Sequence, residues 1–147
     1  MRRIVVFPVF MVQAWQRAGY QRASGRHYTK AATKRIEEAV KDAYISESML
    51  CYGEVPFAPK GTPVKAEVHV YRALPASRPK RVESEPDTAK SGGGGDADNF
   101  AKAVLDGLNG VAYDDDSQVT VLYVEKHDRV RGAEERTEVA VSWEEEA

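Results

Sequence analysis

Two spacings of apolar residues alternate along this chain. Residues 3–10 (RIVVFPVF) are almost continuously apolar, as in a mostly buried strand, and Pro8, which has no N–H to give a ladder, predicts a sheet edge or a strand end. Val64, Ala66, Val68 and Val70 alternate with Lys65, Glu67, His69 and Tyr71, the period of a half-buried strand. That phase puts His69 on the polar side, as a surface histidine rather than a ligand. Val119, Val121 and Val124 with Leu122 or Tyr123, and a closing run from Thr137 to Trp143, predict two further strands. Helical spacing takes over in two places. Ala32, Ile36, Ala39, Val40 and Ala43 recur every three to four positions, with Lys30, Lys34, Lys41, Glu37 and Glu38 around them, predicting a helix from Thr29 to Tyr44 or Ile45. Phe100, Val104, Leu105 and Leu108 form the stripe of a second helix, from about Asp98 to Asn109, closed by Asn109-Gly110.

The order is strand, helix, strand, long loop, helix, strand, strand, with no internal repeat. It predicts one domain over residues 1–147 of the α/β (α+β) class: a mixed sheet of about four strands with two amphipathic helices packed on one face. Ala14 to Tyr28 reads as a loop in which Arg17, Arg22, Arg26 and His27 interleave with Trp15, Tyr20 and Tyr28, and residues 46–62 read as connector. Residues 75–95 lack periodicity and hold three prolines, the basic stretch Arg78-Pro79-Lys80-Arg81 and the glycines Gly92 to Gly95. They read as a flexible loop feeding the second helix.

Composition sharpens this picture. No run approaches the roughly 18 apolar residues of a spanning helix, which argues against a membrane protein. Met1-Arg2-Arg3 before an apolar run has the order of an export signal, but Gln13, Trp15, Gln16 and Arg17 stand where small residues would be needed for cleavage, so a strand is the better reading. The lone Cys51 has no internal disulfide partner, fits a cytoplasmic setting and is expected as a buried thiol. The formal net charge of -2 conceals a polar chain: residues 1–42 hold nine Lys/Arg against three Asp/Glu, and residues 92–147 hold five against fourteen. A basic first third suits phosphates and an acidic last third suits cations, although solvated surface alone gives the same asymmetry.

The acids form two clusters flanking one helix, Asp96-Ala97-Asp98-Asn99 before it and Asp114-Asp115-Asp116 after it. If the chain doubles back after Gly110, the clusters meet, and converging carboxylates repel unless a hard cation such as Mg²⁺ or Mn²⁺ sits among them. The same residues also read as an N-cap at Asp98, a favourable charge at Asp96 and a turn at 114–116. A helix-loop-helix calcium site fails because Ala101 or Val119 stands where glycine is required. Zinc is disfavoured by one cysteine and the scattered His27, His69 and His127.

The stretch from Asp96 to Val119, DADNFAKAVLDGLNGVAYDDDSQV, resembles the signature of the RusA family of Holliday junction resolvases: Asp-x-Asp-Asn, a lysine, an aspartate, a short turn, then Asp-Asp-Ser-Gln-Val. Looser similarity lies in the first strand, in Tyr28-Thr29 and in Ser77 to Lys80. The segment Val12 to Arg17 departs from the basic stretch usual there. The resemblance implies a metal-dependent endodeoxyribonuclease, a homodimer that cuts four-way junctions by symmetric paired nicks with Mg²⁺ (or Mn²⁺), as found in bacterial cells and phage-infected hosts. It implies Asp96, Asp98 and Asp116 as metal ligands and catalytic acids, with Asp115 as the uncertain neighbour and Lys102 as the catalytic lysine. Asp106 is expected to be structural. Arg17, Arg22, Arg26, Lys30, Arg78, Lys80 and Arg81 are the candidate DNA-phosphate contacts.

Overall fold

The computed structural model describes residues 1–16, 19–21, 26–28, 30–88 and 95–146, with side chains described outside 17–29. The elements in chain order are β1 (Arg2–Val9), β2 (Gly19–Gln21), β3 (Arg26–Tyr28), α1 (Ala31–Tyr52), β4 (Val64–Tyr71), β5 (Ser84–Glu85), α2 (Ala97–Leu108), a 3₁₀ turn at Asp116–Gln118, β6 (Val119–Lys126), β7 (Arg129–Val130) and β8 (Arg136–Glu144).

Four strands form one mixed sheet in the order β1-β8-β4-β6. β8 is antiparallel to both β1 and β4, and β4 runs parallel to β6. The expected α+β architecture is therefore present, and Pro8 lies, as its missing donor predicts, on the edge strand β1. One row shows why the register is fixed: Phe7 faces Val139, Val139 faces Val68, and Val68 faces Val124. A slip of one residue in any strand would turn its apolar set to the wrong face. Val5, Phe7 and Val9, then Val64 to Val70 at every second position, then Val139, Val141 and Trp143, are all buried beneath α1 and α2.

The two helices cross where Gly107 allows it. A Cβ there would lie 2.9 Å from the Glu37 carbonyl oxygen and 3.0 Å from Val40 Cβ, so only hydrogen lets α2 approach α1 this closely. The opposite sheet face carries Ile4, Val6, His69 and Tyr71, and no helix among the described residues packs on it.

Three expectations need correction. α1 runs to Tyr52, two turns beyond the expected end, because Tyr44 and Ser48 continue the buried stripe of Thr33, Ile36 and Val40. The Tyr44 hydroxyl donates to the Pro56 carbonyl at 2.6 Å, and Gly53, at φ 68°, ends the helix with its N–H on the Met49 carbonyl. Cys51 is consequently exposed on a helix surface, not buried. Within 14–28, short strands β2 and β3 pair antiparallel, where a loop was expected. The expected helix start, Thr29, lies outside the described residues.

Residues 75–88 make several contacts with the rest of the chain. β5 pairs with β7, the Arg131 guanidinium donates to the Pro79 and Val82 carbonyls at 2.8 Å each, and Arg72 Nη1 meets Asp87 Oδ1 at 2.9 Å with both side chains at most 1% exposed. Residues 89–94, which include Gly92 to Gly94, lie outside the described residues.

Candidate active site

α2 begins one residue before the expected start, with Asp96 as its N-cap and Asp98 in its first turn, both exposed. Asp96 makes no side-chain capping bond. The helix start is held through backbone instead: Trp15 N–H donates to the Asn99 carbonyl at 3.0 Å, and Lys126 Nζ donates to the Gly95 carbonyl at 2.9 Å. A side chain at Gly95 would meet Ala14 Cβ at 2.7 Å, so glycine is required for the segment after β1 to lie against it. Lys126 was not anticipated; its position between Glu125 and His127 gave no sign of what it would reach.

From Asp98 the helix carries Lys102 and Asp106 on one stripe, each four residues on. Lys102 Nζ lies 3.4 Å from Asp106 Oδ2 and 4.9 Å from the centre of the Trp15 ring. Asp116 closes against this stripe. Burial, first, and then the Asp115 and Asp106 carboxylates hold the Asp116 carboxyl above the ordinary range, with Lys102 opposing the rise. Glu37, from α1, is raised as well, by burial and by Asp106. Asp106 thus lies beside both Asp116 and Lys102.

The 3₁₀ turn that presents Asp116 is built by its neighbours. Asp115 accepts the Ser117 N–H at 3.0 Å, which with the Ser117 side chain lowers its pKa, and so acts as the turn's N-cap. Gln118 is buried, and its amide is fully used. Its Oε1 accepts from the Asp114 and Asp115 N–H groups at 2.9 and 3.1 Å, while Nε2 donates to the Ala58, Pro59 and Thr62 carbonyls at 3.3, 2.9 and 3.1 Å. Buried Tyr113 donates its hydroxyl to the Leu105 carbonyl at 2.7 Å and ties the turn to α2; that burial raises its phenol strongly. An open groove of about 670 Å³, lined by Lys60, Thr62, Asp114, Asp115, Ser117 and Thr120 among others, runs beside the turn.

The aspartates do not close on one point. Among the described residues, the acids and histidines whose ligand atoms lie within 4.8 Å of one another are His69, Glu125 and His127, a different group from Asp96, Asp98 and Asp116. Two of the histidines read as scattered, His69 on β4 and His127 just beyond β6, therefore pair, and His69 is not a lone surface residue. The signal was present only as strand parity: His69 and Glu125 are register partners, which the sequence cannot reveal until the parallel pairing is known.

Of the candidate phosphate contacts, Lys30, Lys80 and Arg81 are exposed, and Arg78 Nε is held by Glu85 at 2.9 Å. The side chains of Arg17, Arg22 and Arg26 lie outside those described. No described helix is long and apolar enough to cross a membrane.

The fold is a mixed α+β sheet covered by two helices, and comparison with known proteins gives the family. Residues 10–142 match the family Endodeoxyribonuclease RusA, nearly the whole chain, so this protein belongs to the RusA endodeoxyribonuclease family. It is also similar to an uncharacterized protein, YqaN, of Bacillus subtilis (strain 168), at 40% identity over 68 residues. That match covers 44% of this chain and 48% of the relative, so it spans about half of each.

Proposed function

We propose that this protein is a Mg²⁺-dependent endodeoxyribonuclease that resolves four-way DNA junctions by paired symmetric nicks, acting as a homodimer. The observation that carries the reading is the crowding of Asp115 and Asp106 against Asp116, whose carboxyl is pushed up by burial and like charge, with Lys102 3.4 Å from Asp106 as the opposing cation. Such a group is short of positive charge, and all-oxygen donors suit Mg²⁺ or Mn²⁺ rather than softer ions. Asp96, Asp98 and Asp116 would hold the metal. When bound, it supplies activation of water and neutralisation of phosphate charge.

The chain's own residues do the rest. Lys102, steadied between Asp106 and the Trp15 ring, offers a positive charge to the phosphate as negative charge builds on it. Asp106 positions that ammonium. Gln118 and Tyr113 fix the turn that carries Asp116, and Lys126 fixes the backbone entering Asp96. Exposed Lys30, Lys80 and Arg81 suit the DNA backbone, whose contacts position a duplex without reading its sequence.

A homodimer gives two active centres for two cuts. Support for an intermolecular face comes from the open edge strand β6, where Leu122 is in register with buried Ala66, on the helix side, yet is 45% exposed.

The test is cleavage of a labelled four-way junction, a flap and a linear duplex, with and without Mg²⁺, by wild type and Asp98→Asn. Paired symmetric nicks in the junction alone, lost in the variant, are expected. Equal cutting of junction and flap would make the protein a general branched-DNA nuclease, and binding without metal-dependent cutting would make it a DNA-binding protein.

A further inference from the structure

On the sheet face opposite the helices, the chain brings two imidazoles and a carboxylate together, away from the aspartates. His69 Nδ1 and His127 Nε2 face each other at 2.9 Å, one from β4 and one just beyond β6, and Glu125 completes a set whose ligand atoms lie within 4.8 Å. We propose that His69 and His127, with Glu125 held against the His127 ring, form a second metal site, selective for a late first-row divalent cation such as Zn²⁺, that clamps the ends of the parallel strands β4 and β6.

Several features support a cation here rather than a plain imidazole pair. Carboxylates flank both rings on their outer nitrogens: Glu125 Oε2 is 3.2 Å from His127 Nδ1 and Glu67 Oε1 is 3.8 Å from His69 Nε2. With the ring protons drawn outward to these acids, both facing nitrogens become lone pairs, the tautomers that metal-bound histidines adopt. In the metal-free protein one of these nitrogens must carry a proton to bridge the 2.9 Å gap. Occupation moves that proton to the outer nitrogen of its own ring, beside Glu67 or Glu125.

The spacing also fits. Zn–N bonds of about 2.0–2.1 Å in a tetrahedron place two nitrogens roughly 3.3 Å apart, a few tenths of an ångström beyond the present separation. The rings are held for the purpose: Tyr71 stacks on His127 with centroids 4.3 Å apart and planes 10° from parallel, and Arg136 covers Tyr71 from 4.0 Å. The His127 N–H donates to the Val70 carbonyl at 2.9 Å, fixing the backbone that carries it. Entry is open, through a depression of about 450 Å³ lined by Tyr71, Glu125, His127 and Asp128 among others. Imidazole nitrogens favour zinc-like ions, whereas Mg²⁺ prefers oxygen, so the two sites would load with different metals.

The clamp bears on the rest of the chain through Lys126, which lies between two of the site's residues and reaches the Gly95 carbonyl beside Asp96. A metal joining β4 to the end of β6 would steady that anchor, a structural role rather than a catalytic one.

The experiment is calorimetric titration of Zn²⁺ into the full chain in excess Mg²⁺, repeated with His69→Gln, His127→Gln, Glu125→Gln and Asp98→Asn. Titration with Co²⁺, read by its visible absorption, reports nitrogen ligation directly. Expected are one Zn²⁺ per chain for wild type and Asp98→Asn, and affinity at least tenfold weaker in both histidine variants and in Glu125→Gln. Metal-free melting of the same variants, unchanged from wild type, separates lost ligands from lost fold; Glu125→Gln leaves both imidazoles in place should a histidine variant unfold. Absence of saturable Zn²⁺ binding by wild type would overturn the proposal, as would binding that survives the histidine changes and disappears with Asp98→Asn.

Discussion

A single buried amide decides how the acidic turn is presented. Gln118 serves five backbone groups from two loops, and its removal would leave partly buried donors and acceptors without their partner. Gln118→Ala should cost on the order of 2–3 kcal/mol in denaturant unfolding and also reduce cleavage, since Asp116 loses its frame. Lys102 belongs to a different class: Lys102→Ala should lower kcat by roughly 10²–10³ with folding unaffected, the loss expected on removing one donor to developing charge. Asp116 carries an opposite signature. Its folded pKa is raised, so its contribution to stability is full below the ordinary carboxylate range of about 4 and is lost as pH rises through the raised value. Without metal, Asp116→Asn should therefore melt higher than wild type at neutral pH, with the gap closing under acid, while cleavage is abolished. At this scale the sequence displayed the acids, Lys102 and Gln118 as a motif. It gave no sign that Glu37 would lie near Asp106 and Lys102, because Glu37 is on another helix and comes close only through the helix crossing at Gly107.

At the scale of elements, apolar periodicity was enough to place the four main strands and both helices, since each buries one regular face. It failed where polar residues are buried or short ladders carry the structure. Ser48, wholly buried, hid the last turns of α1, and Arg72 with Asp87 gave no hint that residues 75–88 are pinned to the sheet. Asp87→Ala should cost about 3–5 kcal/mol, since it leaves a buried guanidinium without its carboxylate. Gly107→Ala tests the helix crossing. The added methyl meets the α1 backbone, so a loss of about 1–3 kcal/mol in chemical denaturation is expected, larger than helix propensity alone would allow, since alanine is the better helix former.

Across the whole molecule, the division of charge visible in the sequence takes on a spatial meaning only in part. The last third supplies the acids beside α2, and exposed Lys30, Lys80 and Arg81 supply cations, but no spacing in the chain could say which faces they share. The pairing of His69 with His127 was illegible for the same reason: parallel pairing of β4 and β6 joins residues 58 apart. A lysine at the open edge, Leu122→Lys, should shift sedimentation from dimer toward monomer while leaving the chain folded, because position 122 is already 45% exposed. The central claim is that the carboxylates around Lys102 form the cleavage centre. The most direct test is Mg²⁺-dependent nicking of a four-way junction by folded Asp116→Asn beside wild type. Paired nicks from wild type and none from the variant, with junction binding retained by both, is the predicted result; undiminished nicking by the variant would contradict it.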